Sequence, residues 1–207
     1  MASFCVRKVS DTIAAELGQF GLRQIDTLTF GVEKTPGLVS GLWIQSRNIM
    51  EAKRLSDFGW FGIWIEFERL WAFGARQRYR LGRNFTATKQ SQLTIDPFYV
   101  YEETLAEDCA EYVGRMSPFL AEGVVKYSSV SAFETFILDG GSLAEKQADR
   151  CILLELLLRG VDDAEAEYST FLQSCQCDSE VRWVMEFWER IRQSDRYQTL
   201  KKVGKTL

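Results

Sequence analysis

The apolar pattern of this chain changes period near its middle, and that change restricts the fold more than any other feature. Leu28, Phe30 and Val32 alternate with Thr27, Thr29 and Gly31, which is the period-two pattern of a half-buried strand. Pro36-Gly37 supplies a turn signal, and the apolar run resumes over Leu38–Gln45, so the two runs predict an antiparallel hairpin. Asn48 to Asp57 reads as a polar connection. In Trp60–Phe67, Phe61, Ile63, Ile65 and Phe67 fall on one face, and Trp60, Gly62, Trp64 and Glu66 on the other. Both faces are largely apolar, which predicts a strand at the centre of the sheet. Leu70–Leu81 is read as a further strand, Gly82–Gln92 as a surface loop, and Leu93–Ile95 as a short strand.

The helical period dominates from about Glu102. Leu105, Cys109, Tyr112, Val113 and Met116 form one stripe, which Ser117-Pro118 is expected to end or redirect. Ser131–Leu138 reads as a short helix closed by Asp139-Gly140-Gly141. Ser142 and Glu145 have capping-box spacing for a helix that ends at Gly160. Asp162 or Asp163 is expected to cap the next helix, with Tyr168, Phe171 and Leu172 inside. Asp178 or Ser179 is expected to cap the last, with Val181, Val184, Met185, Trp188 and Ile191 inside. An amphipathic helix built on Val6, Val9, Ile13 and Leu17, with Gly18 and Gly21 behind it, precedes the strands.

Strands grouped ahead of helices predict an α+β fold. The expected form is an N-terminal helix packed on an antiparallel sheet of roughly three to five strands, followed by a C-terminal helical subdomain. No Pro- or Gly-rich linker separates the parts. The expectation is therefore a single domain over 1–207, with a helix-plus-sheet part (1–100), a helical part (101–195) and a basic tail (196–207).

A chain of 207 residues that is 46% hydrophobic and 13% aromatic can bury a substantial core. No run of about 18 apolar residues occurs, and the first residues lack a signal-peptide pattern. Five cysteines, an odd set without framework spacing, fit reduced thiols. The chain is therefore expected to be cytoplasmic and free of membrane association. Residues 1–100 hold 13 Lys+Arg against 9 Asp+Glu, 101–189 hold 6 against 19, and 190–207 hold 6 against 1. The helical half thus carries −13, which disfavours nucleic acid and suits a basic protein partner.

The chain has no histidine, so imidazole-based catalysis and histidine-ligated zinc are excluded. No catalytic residue, metal ligand or cofactor is assigned. Cys175-Gln-Cys177 offers too few ligands for a closed zinc site and lacks a thioredoxin-like setting. It reads as two cysteines in a helix–helix loop. Glu66 and Glu68, two apart on the expected strand, would share a face and could hold Mg²⁺ or transfer protons. The plainer reading is a solvated, ion-paired strand end. Arg76, Arg78 and Arg80 would likewise align as an anion-binding strip, or as an edge strand protected by charge. Asp162, Asp163, Glu165 and Glu167 are either dipole-complementing acids of a helix start or an acidic docking surface. Gly140-Gly141 lies between helices, the wrong setting for a phosphate loop. The six tryptophans fall at core-compatible positions.

The first helix, the Leu42-Trp-Ile-Gln-Ser46 and Trp60–Phe67 strands, and the fragments Ser117-Pro-Phe-Leu120 and Ser128-Ser-Val-Ser-Ala-Phe133 resemble small bacterial α+β domains similar to polymorphic-toxin immunity proteins. The likeness spans roughly residues 1–138. It implies a protein that binds and blocks a cognate toxin, and no functional residue carries over from it. The expected function is a cytosolic binding or inhibitory protein acting by steric and electrostatic occlusion, rather than an enzyme. Two alternatives stand beside it. One is an enzyme using carboxylates and arginines on a phosphorylated or nucleic-acid substrate. The other is a phage- or plasmid-encoded inhibitor of a host protein.

Overall fold

The computed structural model describes residues 5–49, 51–78, 88–93, 97–126, 128–138 and 147–204. The fold class is α+β, as expected. The chain divides into two compact units, Met1–Ile63 with Leu81–Phe133, and Trp64–Arg80 with Glu134–Leu207. Among the described residues, no helix is long and apolar enough to cross a membrane.

The first unit opens with α1 (Val6–Leu17), which buries Val9, Ser10, Ile13 and Leu17. Strands β1 (Arg23–Asp26), β2 (Thr29–Thr35), β3 (Leu38–Ile49) and β4 (Ala52–Trp64) follow. They lie in sequence order in a six-stranded sheet that β5 (Thr88–Leu93) and β6 (Phe98–Tyr101) complete. Both late strands run antiparallel to β4. β6 pairs with it from Ala52 to Leu55, and β5 from Phe58 to Phe61, so the two cover successive parts of one edge. Leu28, Phe30, Leu42, Ile44, Leu55, Phe98 and Val100 meet α1 and the stripe Cys109, Tyr112, Val113, Met116 and Leu120 of α3 (Leu105–Lys126) in one core. Each large side chain fully buried there contributes about 2 kcal/mol.

The structure differs from the sequence expectation at several points in this unit. Asn48–Asp57 is no polar connection, because β3 runs to Ile49 and β4 starts at Ala52. Polar residues persist in these strands by pairing across them, as Lys53 Nζ does by donating to Asn48 Oδ1. Within Gly82–Gln92, residues 88–92 belong to β5 rather than a loop. Ser117-Pro118 does not end α3. Proline cannot donate to the carbonyl four residues back, but the Ser117 hydroxyl donates to that Gly114 carbonyl at 2.9 Å. Burial of Leu120 one residue pair later rewards continuing the helix. The Pro36-Gly37 turn forms as expected, with Gly37 at φ 80°.

The second unit holds α2 (Ile65–Gly74), α5 (Ala148–Leu158), α6 (Val161–Ser174), α7 (Asp178–Arg192) and α8 (Asp195–Gly204). The division at Phe133 and Glu134 falls within α4 (Val130–Leu138). The expected strand Trp60–Phe67 is cut at Trp64, and the expected strand Leu70–Leu81 is not formed over its described residues 70–78, since α2 occupies Ile65–Gly74 and the chain then turns. The reason lies in the spacing: a four-residue interval is two strand periods and also about one helical turn. Phe67, Leu70 and Gly74 bury one helical face. A Cβ on Gly74 would collide with the Phe187 ring, so glycine allows this close approach of α2 to α7. The Arg190 guanidinium donates to the Gly74 carbonyl and closes the end of α2.

α5 is buried nearly all round, through Cys151, Ile152, Leu153, Leu154 and Leu156. Gly160 adopts φ 109°, a conformation for which glycine is the natural residue, and it separates α5 from α6. The Ser142–Glu145 capping box and Asp139-Gly140-Gly141 lie outside the described residues. Neither Asp162 nor Asp163 caps α6, whose cap position is Gly160, and neither Asp178 nor Ser179 caps α7, which starts after Cys177. Met185 and Trp183 are exposed rather than inside. Of the expected basic tail, residues 196–204 belong to α8, with Tyr197 only 3% exposed, and 205–207 lie outside the described residues. Ser194 starts that helix, its Oγ accepting the Tyr197 amide at 3.2 Å.

One buried polar group in the first unit gives a direct test. Leu28 sits at φ 53°, a costly conformation for leucine. Its amide donates to the buried Ser10 Oγ at 2.8 Å, an oxygen that also accepts from Gln24 Nε2 at 2.9 Å. Ser10→Ala strands the Leu28 amide and should lower unfolding free energy by about 1–3 kcal/mol, read from urea denaturation. An unchanged midpoint would show that this contact does not hold the β1–β2 turn.

Candidate functional site

The four acids singled out on α6 separate into two groups once the helix forms. Asp162, Asp163 and Glu167 are exposed, whereas Glu165 is turned toward α7 and α8 and half-buried. Arg192 grips the Glu165 carboxylate as a fork, Nε to Oε1 at 2.9 Å and Nη2 to Oε2. Tyr197 Oη donates to Oε1 at 2.6 Å, and Trp188 Nε1 to Oε2 at 3.3 Å. The Arg192 guanidinium also lies 5.1 Å from the Tyr168 ring centre and 6.0 Å from that of Trp188. Burial alone would raise the Glu165 carboxyl, but the hydrogen bonds from Arg192, Tyr197 and Trp188 outweigh it and hold it below the usual carboxylate value. Burial, then the bond to Glu165, pushes the Tyr197 phenol up to about 12. Glu165 is therefore a structural anchor, and its charge is not presented outward.

The outward acids are different. Asp162 and Asp163 stand in the first turn of α6, where negative charge complements the helix dipole. Glu167 lies one turn beyond Asp163, and like charges at that spacing repel by a few tenths of a kcal/mol. None of these carboxylates has an ion pair among the described residues. Beside them the end of α5, the start of α6 and the end of α8 enclose a groove of about 420 Å³. Leu157, Val161, Leu200 and Val203 give it apolar walls, Asp162 and Asp163 line its acidic side, and Arg159 and Lys201 also border it, Arg159 being paired with Glu134 and Glu155. Val203 remains 58% exposed. A trough with apolar walls and two carboxylates without ion pairs among the described residues on one side can take the apolar face and the cations of an amphipathic surface.

The remaining candidates do not come together. Glu66 and Glu68 fall in the first turn of α2 rather than on a strand, so they point roughly 200° apart around the helix. Glu66 pairs with Arg196, and Glu68 is 1% exposed. The arginine strip is not formed either: Arg76 is in a turn at φ 54° and Arg78 in irregular chain, while Arg80 lies outside the described residues. Arg76 borders an open depression whose other charged residues are Glu186, Glu189, Arg190 and Arg192, a mixed setting and no anion cradle. Of the tryptophans, Trp188 is fully buried, Trp43, Trp64 and Trp71 are half-buried, and Trp183 is exposed. The side chain of Trp60 lies outside the described residues.

The groove's C-terminal wall was hidden by composition, which marks 196–207 only as basic. Tyr197, Leu200 and Val203 recur at three-residue steps, the signal that could have revealed the amphipathic α8.

Glu165→Gln should lower unfolding free energy by about 2 kcal/mol, since it breaks a partly exposed charged fork. The carboxyl is depressed in the folded state, so its stabilisation is complete above the unfolded value of about 4.3 and is lost as pH falls through the folded value. Denaturation curves of the native chain and the variant should therefore converge on acidification below about pH 4, and parallel curves would show that this fork does not stabilise the unit. Compared with known proteins, the chain matches no protein-family model, no curated protein and no solved structure.

Proposed function

We propose that this chain is a cytoplasmic protein-binding inhibitor that docks a basic, amphipathic segment of a partner protein against α6 and neutralises the partner by covering it. The observation that carries this reading is the placement of exposed Asp162 and Asp163, without ion pairs among the described residues, on the lining of a groove with apolar walls, with exposed Glu167 one turn further along α6. A cationic partner would relieve the repulsion between Asp163 and Glu167 while its apolar face fills the trough. The −13 balance of residues 101–189 would draw such a partner in over distance. The resemblance to immunity proteins supports a toxin as the blocked partner. A phage- or plasmid-encoded inhibitor would work by the same physics on a host protein. The enzyme alternative has less support, because Glu66 and Glu68 diverge and Arg76 and Arg78 form no strip with them.

The test is a triple neutralisation, Asp162→Asn, Asp163→Asn and Glu167→Gln. These residues are exposed, so unfolding free energy should change by less than about 1 kcal/mol. Affinity for a partner captured by the native chain should fall roughly 10- to 100-fold at low salt, and its salt dependence should flatten. Unchanged affinity would place the interface elsewhere and end this reading.

A further inference from the structure

The connection between α6 and α7 is Cys175-Gln-Cys177, and both thiols are free. The backbone is extended at Cys175 (φ −78°, ψ 127°) and at Cys177 (φ −94°, ψ 103°). Extended backbone brings side chains two apart toward one side. Cys175 Sγ leans along the loop, 3.9 Å from the Cys177 carbonyl oxygen and 3.6 Å from Glu180 Oε2. Cys177 occupies the cap position of the 15-residue α7 and is exposed. Its sulfur lies 3.2 Å from Ser179 Oγ. The Ser179 hydroxyl first, then the amides of Glu180 and Ser179, hold the Cys177 thiol below its ordinary value, against an opposing contribution from the Glu180 carboxylate. The other cysteines lack this combination. Cys109 and Cys151 are buried, with burial pushing Cys109 up to about 12. Cys5 is exposed but has no second cysteine near it in sequence.

We propose that Cys177 and Cys175 form a redox modification site, in which Cys177 reacts with a hydroperoxide and Cys175 resolves the product as a disulfide within the loop. In the first step the Cys177 thiolate attacks a peroxide oxygen. An S–O bond forms as the O–O bond breaks, and the departing oxygen leaves as water or alcohol with the thiol proton. The sulfur is oxidised by two electrons and the peroxide reduced by two. In the second step Cys175 sulfur attacks the sulfenic sulfur of Cys177. The S–S bond forms, the S–O bond breaks, and hydroxide leaves as water with the Cys175 proton. Alpha carbons two apart on extended chain lie near the upper end of disulfide reach, about 6–7 Å. The resulting bond is strained and readily returned to thiols by a dithiol. This inference stands apart from the docking surface and survives its failure.

The experiment treats the full chain with hydrogen peroxide, then alkylates it and maps peptides without reduction. The expected product is a monomer whose Cys175–Cys177 peptide has lost two hydrogens, with Cys5, Cys109 and Cys151 still alkylated. Cys177 should oxidise ~10-fold faster than Cys5. Cys175→Ser should stop at a sulfenic acid on Cys177 that dimedone traps, and Cys177→Ser should slow loss of the Cys175 thiol ~10-fold. Oxidation of Cys177 no faster than Cys5, absence of the dimedone adduct in Cys175→Ser, or a product linked only between chains would each overturn the proposal.

Discussion

A carboxylate held half out of water needs partners, and Glu165 has four hydrogen bonds, two from Arg192 and one each from Tyr197 and Trp188. They come from α7, its last turn and α8, so this single group fixes those helices against α6. The start of α6 and the end of α8 are also two of the groove's walls. The groove thus depends on an acid that never faces it. The same acid sets which neighbours turn outward: with Glu165 directed inward, Asp162, Asp163 and Glu167 are left on the exposed side of the helix. One half-buried charge ties α6 to α7 and α8, and three exposed charges without ion pairs among the described residues face outward.

The first unit solves a different problem by similar means. Its sheet would leave β4 with a bare edge, which is a route to association, and β6 and β5 cover that edge in turn. α1 and α3 then close one core with the sheet. The Ser10 hydroxyl anchors the turn into β2, and the Ser117 hydroxyl lets α3 run through Pro118. In both places a short hydroxyl serves a backbone group that local geometry would otherwise strand.

The α+β class, α1, the β2–β3 hairpin and the stripe of α3 were legible in the sequence because each rests on a repeated period in residues that end up buried. The β4–α2 boundary was not, since Ile63 and Phe67 satisfy both periods, and the helix is favoured by contacts distant in sequence such as the packing of Gly74 on Phe187 and Ile191. The inside and outside of the acidic cluster were not legible either. Asp162, Asp163, Glu165 and Glu167 are chemically alike, and their division depends on Arg192 and Tyr197, at least 25 residues further on. Glu66 and Glu68 show the converse: a pair convergent on a strand becomes divergent when the segment is helical.

The central claim is that a partner binds at the acidic groove of the second unit. Hydrogen–deuterium exchange on the complex with a captured partner tests it most directly. The account predicts new protection at the start of α6, over 161–167, and at the end of α8, over 200–203, with little change along β1 and β2. Protection confined to the first unit, with those segments exchanging as in the free chain, would contradict it.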